Sequence, residues 1–197
     1  MKHTLSVNRN VTVTKIALTG QLRSGKDTVA AQLFYEYGFE RFAFGNALKH
    51  TAYEVFPWLK SEAKPRRLFQ MYGQTMRLLD ENVWITHVER AVNFHVDYAA
   101  NSGKDNVGVV VTDVRQPNEV AWCRENGFTL IRVVAPEHVR IDRALKAGDD
   151  FNVHDLAHET ELQIGKFAVD YEIVNDGTVE DLERKVSEIL AEINAVK

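Results

Sequence analysis

The sequence predicts an α/β protein in which helices cover a parallel sheet, and three observations carry that reading. Segments of strand character alternate with segments of helical period along most of the chain. Two strand segments, VGVVVTD (107–113) and FTLIRVVA (128–135), are apolar, largely β-branched runs without polar alternation, as expected where both faces of a strand are covered. A glycine-bearing turn, LTGQLRSGKD, joins the first strand segment to the first helical one.

The elements follow in order. VTVTKIALTG (11–20) alternates and then turns apolar, the pattern of a strand that enters the sheet as it runs toward the turn. KDTVAAQLFYEYG (26–38) has apolar spacing near 3.6 and a glycine, Gly38, placed to cap a helix. FERFAF (39–44) alternates as a short strand, and ALKHTAYEVF (47–56) reads as a helix stopped by Pro57. From Pro65 to Ala100 the period is helical, in two segments broken near Asp80–Asn82, and NSGKDN (101–106) is a turn. The strand at 107–113 is followed by PNEVAWCRENG (117–127), a helix with proline at its start and glycine at its end. After the strand at 128–135, residues 136–165 are charged and histidine-bearing, with one or two helical pieces. FAVDYEIVND (167–176) is the last strand, and TVEDLERKVSEILAEINAV closes as an amphipathic helix with Thr178 and Asp181 in a capping-box-like start. The first ten residues are polar and are expected to form a loose arm or a short edge element.

Composition narrows the function classes. The chain has 197 residues, 45% hydrophobic and 26% charged, enough for one domain with a real core. Its 24 Lys and Arg against 28 Asp and Glu give a net charge of -4, which argues against a general binder of nucleic acid or anionic membrane. Neither a secretion signal nor an apolar stretch long enough to cross a membrane is visible. The single cysteine, Cys123, can form no internal disulfide and reads as a small packing residue, so a reducing, cytoplasmic location is expected.

The turn after the first strand carries the chemistry. Gly20, Gly25 and Lys26 stand at P-loop spacing, with a strand before and a helix after. Glycines let successive N–H groups turn inward, the helix start favours an anion, and Lys26 can reach the β- and γ-phosphates of a nucleotide. Asp27 stands where a Ser or Thr hydroxyl usually ligates Mg²⁺. A carboxylate there can ligate the metal directly or through water, and Thr28 supplies a hydroxyl one residue later, so the metal ligand is left open.

RSGKDT (23–28), VTDVRQPNE (111–119), HETEL (158–162) and IVNDGTVEDL (173–182), with RRLFQMYG (66–73), resemble the bacteriophage-type deoxynucleoside monophosphate kinases of the P-loop nucleotide-kinase superfamily. The matches run in order from the P-loop almost to the C-terminus, and GKD in place of GK[ST] is shared with that subgroup. The resemblance implies an adenylate-kinase-like, three-layer fold around a parallel five-stranded sheet. In this chain the core would be 11–44, 104–135 and 166–197, the helical acceptor-binding insertion 45–103 and the lid 136–165. It implies ATP and Mg²⁺ as cofactors, with Gly20, Arg23, Ser24, Gly25, Lys26, Asp27, Thr28 and Asn175 around ATP and Asp27 and Asp113 near the metal.

The remaining candidates are read beside that resemblance. Asp113 ends the strongest strand, where a parallel sheet opens its ligand crevice, with Arg115 and Glu119 just beyond; the resemblance assigns all three to the acceptor, and a surface pair capping a helix is the alternative. Arg67, Gln70 and Gln74 share one helix face, for the acceptor's phosphate and base or as a solvated stripe; Phe69, Met71, Tyr72, Leu78 and Leu79 are read as core. Arg140 and Arg143, three apart, are candidate lid arginines that close with Lys26 on the transferring phosphate, or ordinary exposed charges. His154, His158 and Glu159 do not form a zinc motif, since the glutamate follows the second histidine; they are lid or acceptor contacts, or surface groups. Asn175–Asp176–Gly177 either passes the donor's adenine through backbone groups or is a plain turn.

The expected activity is ATP-dependent phosphoryl transfer to a (deoxy)nucleoside monophosphate. The alternatives are a related kinase of dephospho-coenzyme A or phosphomevalonate, and a non-catalytic nucleotide-binding module. The expected partner is a small-molecule nucleotide acceptor, with no nucleic acid and no membrane; a homodimer is left open.

Overall fold

The computed structural model describes residues 11–61, 65–147 and 163–195. The elements in order are β1 (Thr12–Thr19), α1 (Lys26–Tyr35), β2 (Glu40–Phe42), α2 (Phe44–Val55), a 3₁₀ segment (Pro57–Ser61), α3 (Arg66–Leu79), α4 (Val83–Asn101), β3 (Asn106–Val111), α5 (Pro117–Glu125), β4 (Thr129–Val134), α6 (Glu137–Lys146), β5 (Tyr171–Val174) and α7 (Val179–Ala195). The strands form the expected parallel five-stranded sheet, in the order β2-β3-β1-β4-β5. Ile16 pairs with Thr129 and Thr19 with Arg132, while Ile131 pairs with Tyr171 and Val134 with Val174. From β1 the chain moves toward β2, and from β3 it moves to the opposite side, toward β4. The carboxyl ends of β1 and β3 therefore flank the point where the winding reverses, the usual ligand crevice of such sheets.

The chain divides into two compact units, Phe42–Val109 with the chain up to Thr14, and Lys15–Arg41 with Val110–Lys197. In the second unit, Ile16 and Leu18 of β1, Ile131 and Val133 of β4 and Ile173 of β5 pack with Val29, Ala30 and Leu33 of α1 and with Leu182, Val186, Leu190 and Ile193 of α7. Leu182, Val186, Ile189, Leu190 and Ile193 recur at steps of three and four and give α7 its apolar stripe. In the helical unit, Trp84 donates from Nε1 to the Gly73 carbonyl at 3.3 Å, and Tyr53 meets Phe69 edge to face. Phe69 is buried as expected, but Met71, Leu78 and Leu79 are exposed and not core. The stripe of α3 that packs is narrower than its apolar content suggests.

Local signals explain most boundaries. Asp80 breaks the long helical stretch by accepting from the Asn82 N–H through Oδ1 and from the Val83 N–H through its carbonyl. Helix α5 starts with proline at N1 and a complete capping box between Gln116 and Glu119. It ends where Gly127, at φ 72°, lets the Phe128 N–H reach the Cys123 carbonyl and its own N–H reach that of Arg124. Thr178 and Asp181 form the expected reciprocal cap of α7. Strand β5 is shorter than the apolar run at 167–176 suggests. Arg132 takes the Gly165 and Phe167 carbonyls and Arg124 takes that of Ala168, so these carbonyls ahead of Tyr171 are satisfied by side chains, and the first backbone bond to β4 is from the Asp170 N–H to the Leu130 carbonyl. Cys123 is fully buried, and burial first, then the charges of Glu119 and Asp113, push its thiol well above its ordinary range. That is the behaviour of a packing residue.

Candidate functional site

The loop Gly20–Gly25 leaves the carboxyl end of β1, and α1 begins directly after it. Its curvature is fixed from inside by the Ser24 N–H donating to the Gln21 carbonyl at 3.1 Å. Gly25, at φ 103° and ψ 7°, is the N-cap, and its carbonyl accepts from the N–H groups of Thr28 and Val29. Both glycines are required by space as well. A Cβ on Gly20 would sit 2.5 Å from the Val133 carbonyl oxygen, and one on Gly25 would overlap Asn175 Nδ2. Arg23 is the only non-glycine among the described residues at positive φ, 61°, which tightens the loop further.

Lys26, the first residue of α1, is 9% exposed, and its Nζ donates to Asp27 Oδ1 at 3.2 Å. Asp27 and Thr28 are exposed at the same helix start. Ser24 is fully buried, and its Oγ has no hydrogen-bond partner. On α6, Arg140 is 5% exposed, and its Nε and Nη1 have no partner either. A buried hydroxyl without a partner and a buried guanidinium with donors to spare are costly in isolation and are satisfied by an anion. The free N–H groups of a helix start add to that preference. The residues of this unit therefore fit a bound phosphate chain. Among the described residues no three His, Cys, Asp or Glu side chains cluster as a protein-made metal cage. Mg²⁺ carried with a nucleotide needs only one or two carboxylates beside the phosphates, and Asp27 has the right chemistry and exposure for that.

Two residues do something that spacing alone does not reveal. Asn175, just past β5, is 5% exposed; its Nδ2 donates to the Ser24 carbonyl at 2.8 Å and its backbone N–H to the Val134 carbonyl at 2.7 Å. Arg143 donates from Nη2 to Asn175 Oδ1 at 3.2 Å, and its Nη1 lies 3.4 Å from the Arg23 carbonyl and 3.5 Å from that of Ser24. Arg143 thus grips the backbone of the loop, and the Asn175 contact with the loop runs through its side chain. The N-D-G sequence marks a turn, but nothing in it says which way the amide points.

The segment after β3 is stitched to the end of β1. The Val114 N–H donates to the Leu18 carbonyl at 3.1 Å, and Thr19 Oγ1 donates to the Val114 carbonyl at 2.8 Å. These two bonds hold Asp113 and Arg115 at the strand ends where Gly20 begins the loop, and Thr19 is a positioning residue that motif spacing did not flag. Glu119 is 3% exposed, and its Oε2 accepts from the N–H groups of Arg115 and Gln116 at 2.8 and 3.0 Å. The capping alternative accounts for Glu119, with the backbone of Arg115 as its partner. Arg67, Gln70 and Gln74 lie exposed on α3, in the helical unit. His154, His158, Glu159 and half of the expected lid lie outside the described residues.

Comparison with known proteins gives this geometry a family. Residues 60–186 match the family model described as deoxynucleotide monophosphate kinase. The deoxynucleotide monophosphate kinase of Escherichia phage RB69 is 31% identical over 127 residues, 64% of this chain but 44% of the phage protein. The UPF0200 protein of Sulfurisphaera tokodaii is 27% identical over 198 residues, with 90% of this chain and 96% of that protein aligned. In fold, the chain is similar to the shikimate kinase of Acinetobacter baumannii, with a TM-score of 0.57, 16% identity and 94% and 97% of the two chains covered. With a family match over well over half its length, and with a glycine loop, lysine and switch-point strand ends arranged as in P-loop kinases, the chain belongs to the deoxynucleotide monophosphate kinase family.

Proposed function

We propose that the chain transfers the terminal phosphoryl group of ATP to the phosphate of a deoxynucleoside or nucleoside monophosphate, releasing ADP and the diphosphate. One observation carries the reading: a glycine-built loop at the head of α1 with Lys26 tucked behind it and the buried Ser24 hydroxyl left without a partner. The loop amides and the α1 start would hold the phosphate chain of ATP, in reach of Arg23, Ser24 and Thr28. Lys26 would release Asp27 and neutralise the β- and γ-oxygens. When bound, Mg²⁺ would supply positive charge beside the phosphates, and Asp27 and Asp113 are the carboxylates we assign to hold it.

Arg140 is assigned to the negative charge that builds as the phosphoryl group moves. Its unpartnered donors are a reserve for an anion. The acceptor's phosphate oxygen is already ionised at neutral pH, so the attack needs positioning more than a general base. Arg115 is assigned to that phosphate, with Asp113 beside it and Arg67, Gln70 and Gln74 as further acceptor contacts. Glu119 then acts through the backbone it caps. The reaction needs no macromolecular partner, and we place it in the cytoplasm.

The test is a screen of the purified full chain with ATP and Mg²⁺ against the common ribo- and deoxynucleoside monophosphates, dephospho-coenzyme A and phosphomevalonate, reading ADP release. Release with one or more monophosphates is expected. Release only with dephospho-coenzyme A or phosphomevalonate, or with none of them, overturns the assignment.

A further inference from the structure

We infer that Asn175, locked by Arg143, is a positioning residue for the phosphate loop: its side-chain amide fixes the Ser24–Gly25 peptide in the orientation that receives an anion. The role of the loop in binding ATP rests on the function proposed above; the brace itself does not. The argument begins with a conflict. Gly25 must be glycine, because the space a Cβ would fill is taken by Asn175 Nδ2, and because the backbone there stands at φ 103°. The same freedom lets the peptide before Gly25 rotate at little cost. A loop that binds phosphate through backbone amides loses affinity if those amides wander.

Asn175 removes that freedom. Its Nδ2 holds the Ser24 carbonyl at 2.8 Å. In a planar trans peptide the carbonyl and the following N–H point in opposite directions. Pinning the Ser24 carbonyl toward Asn175 therefore turns the Gly25 N–H away from it. An asparagine amide could equally sit with its oxygen and nitrogen exchanged. Arg143 decides the matter, because its Nη2 is a donor 3.2 Å from Oδ1 and leaves only Nδ2 to face the loop. The backbone N–H of Asn175 is anchored at 2.7 Å on the Val134 carbonyl, so the brace stands on the end of β4 and not on a free loop. Arg143 has two further long contacts, to the Arg23 and Ser24 carbonyls, so α6 is tied to the same backbone.

Asn175→Asp separates this role from simple space filling. It keeps the volume and the acceptor for Arg143 but loses the donor to Ser24. On the full chain, hydrogen exchange of the amides at 20–27 and calorimetric titration with Mg·ADP are measured for wild type, Asn175→Ala and Asn175→Asp. Both variants are expected to exchange faster across the loop and to bind Mg·ADP about tenfold or more weakly, as loss of a buried hydrogen bond implies, with exchange elsewhere unchanged. Wild-type behaviour of Asn175→Asp, or faster exchange spread over the whole chain, overturns the brace. If wild type binds no nucleotide, the kinase reading falls, while loop exchange still decides the brace. Should the Asn175 variants fail to fold, Arg143→Lys, on the half-buried face of α6, carries the same comparison: it is expected to loosen the loop, and an unchanged loop overturns the proposal.

Discussion

The phosphate loop and the polar stripe of α3 were both candidate binding surfaces, and they are built in opposite ways. In the loop, the functional atoms are backbone groups and buried side chains: Ser24 and Lys26 are shielded, Asn175 and Arg143 grip carbonyls, and two glycines sit where no Cβ fits. On α3, Arg67, Gln70 and Gln74 stand exposed on a helix that Phe69 and Gly73 pack into its own unit. A preorganised site spends little free energy on ordering when ligand arrives, whereas exposed long side chains must be immobilised then. The loop should therefore carry most of the affinity and rate, and the stripe should tune which acceptor is used.

The largest effect expected from that contrast is at Lys26. Lys26→Ala removes the buried cation of the loop without touching its glycines, and turnover should fall by about a thousandfold or more, the scale seen when a preorganised electrostatic donor is removed. Circular dichroism and melting should stay close to wild type. Near-normal turnover in this variant would mean that the braced loop does not hold the transferring phosphate.

A middle-sized effect divides the acceptor candidates. Arg115 is held between the capped start of α5 and the stitched end of β1, whereas Arg67 is exposed. Arg115→Ala should raise the acceptor's KM about tenfold or more and leave that of ATP nearly unchanged, as loss of a charge-assisted hydrogen bond would. Arg67→Ala should raise it less than about fivefold, in line with the small worth of exposed charges. Steady-state kinetics with each substrate varied checks both; a larger effect at Arg67 would reverse the ranking of the two regions.

Much of this was legible in the sequence, for identifiable reasons. The β-branched runs announced buried parallel strands, and Gly20, Gly25 and Lys26 announced the loop, because both depend on residue type at fixed spacing. The break at Asp80 and the Thr178–Asp181 cap were legible through local hydrogen-bonding chemistry. What escaped was long-range. Thr19, Arg143 and Asn175 act on partners 95, 119 and 151 positions away, and no periodicity encodes such a meeting. One local signal was passed over as well: Glu119 stands three residues after Gln116, the spacing of a capping box, and its Oε2 accepts from the Arg115 and Gln116 N–H groups. Leu78 and Leu79 read as core because apolar character was visible and the direction of the helix face was not.

The smallest effect expected lies behind the loop, at the start of α7. Leu182 of this helix lies 3.6 Å from where a Gly25 Cβ would stand, so the cap just before it supports the loop from outside. Asp181 accepts from the Thr178 N–H and hydroxyl, both at 3.2 Å, and those bonds, the backbone one first, hold its carboxyl below the ordinary value of 3.8. A carboxyl lowered in the folded state binds protons more readily in the unfolded chain. Its stabilising contribution is thus complete above 3.8 and disappears as the pH falls through the folded-state value. Asp181→Asn should melt slightly below wild type at neutral pH, and the two melting curves should converge in acid below 3.8. Glu180 is lowered as well, by its own backbone hydrogen bond first, and the Asp181 charge works against that shift, so the comparison reads the two neighbouring carboxyls together. Because the cap is exposed and Thr178 remains, Mg·ADP affinity should not change at neutral pH. A gap in melting that persists undiminished in acid would place the effect in packing rather than in charge, and a loss of nucleotide affinity would extend the braced region beyond Asn175 into α7.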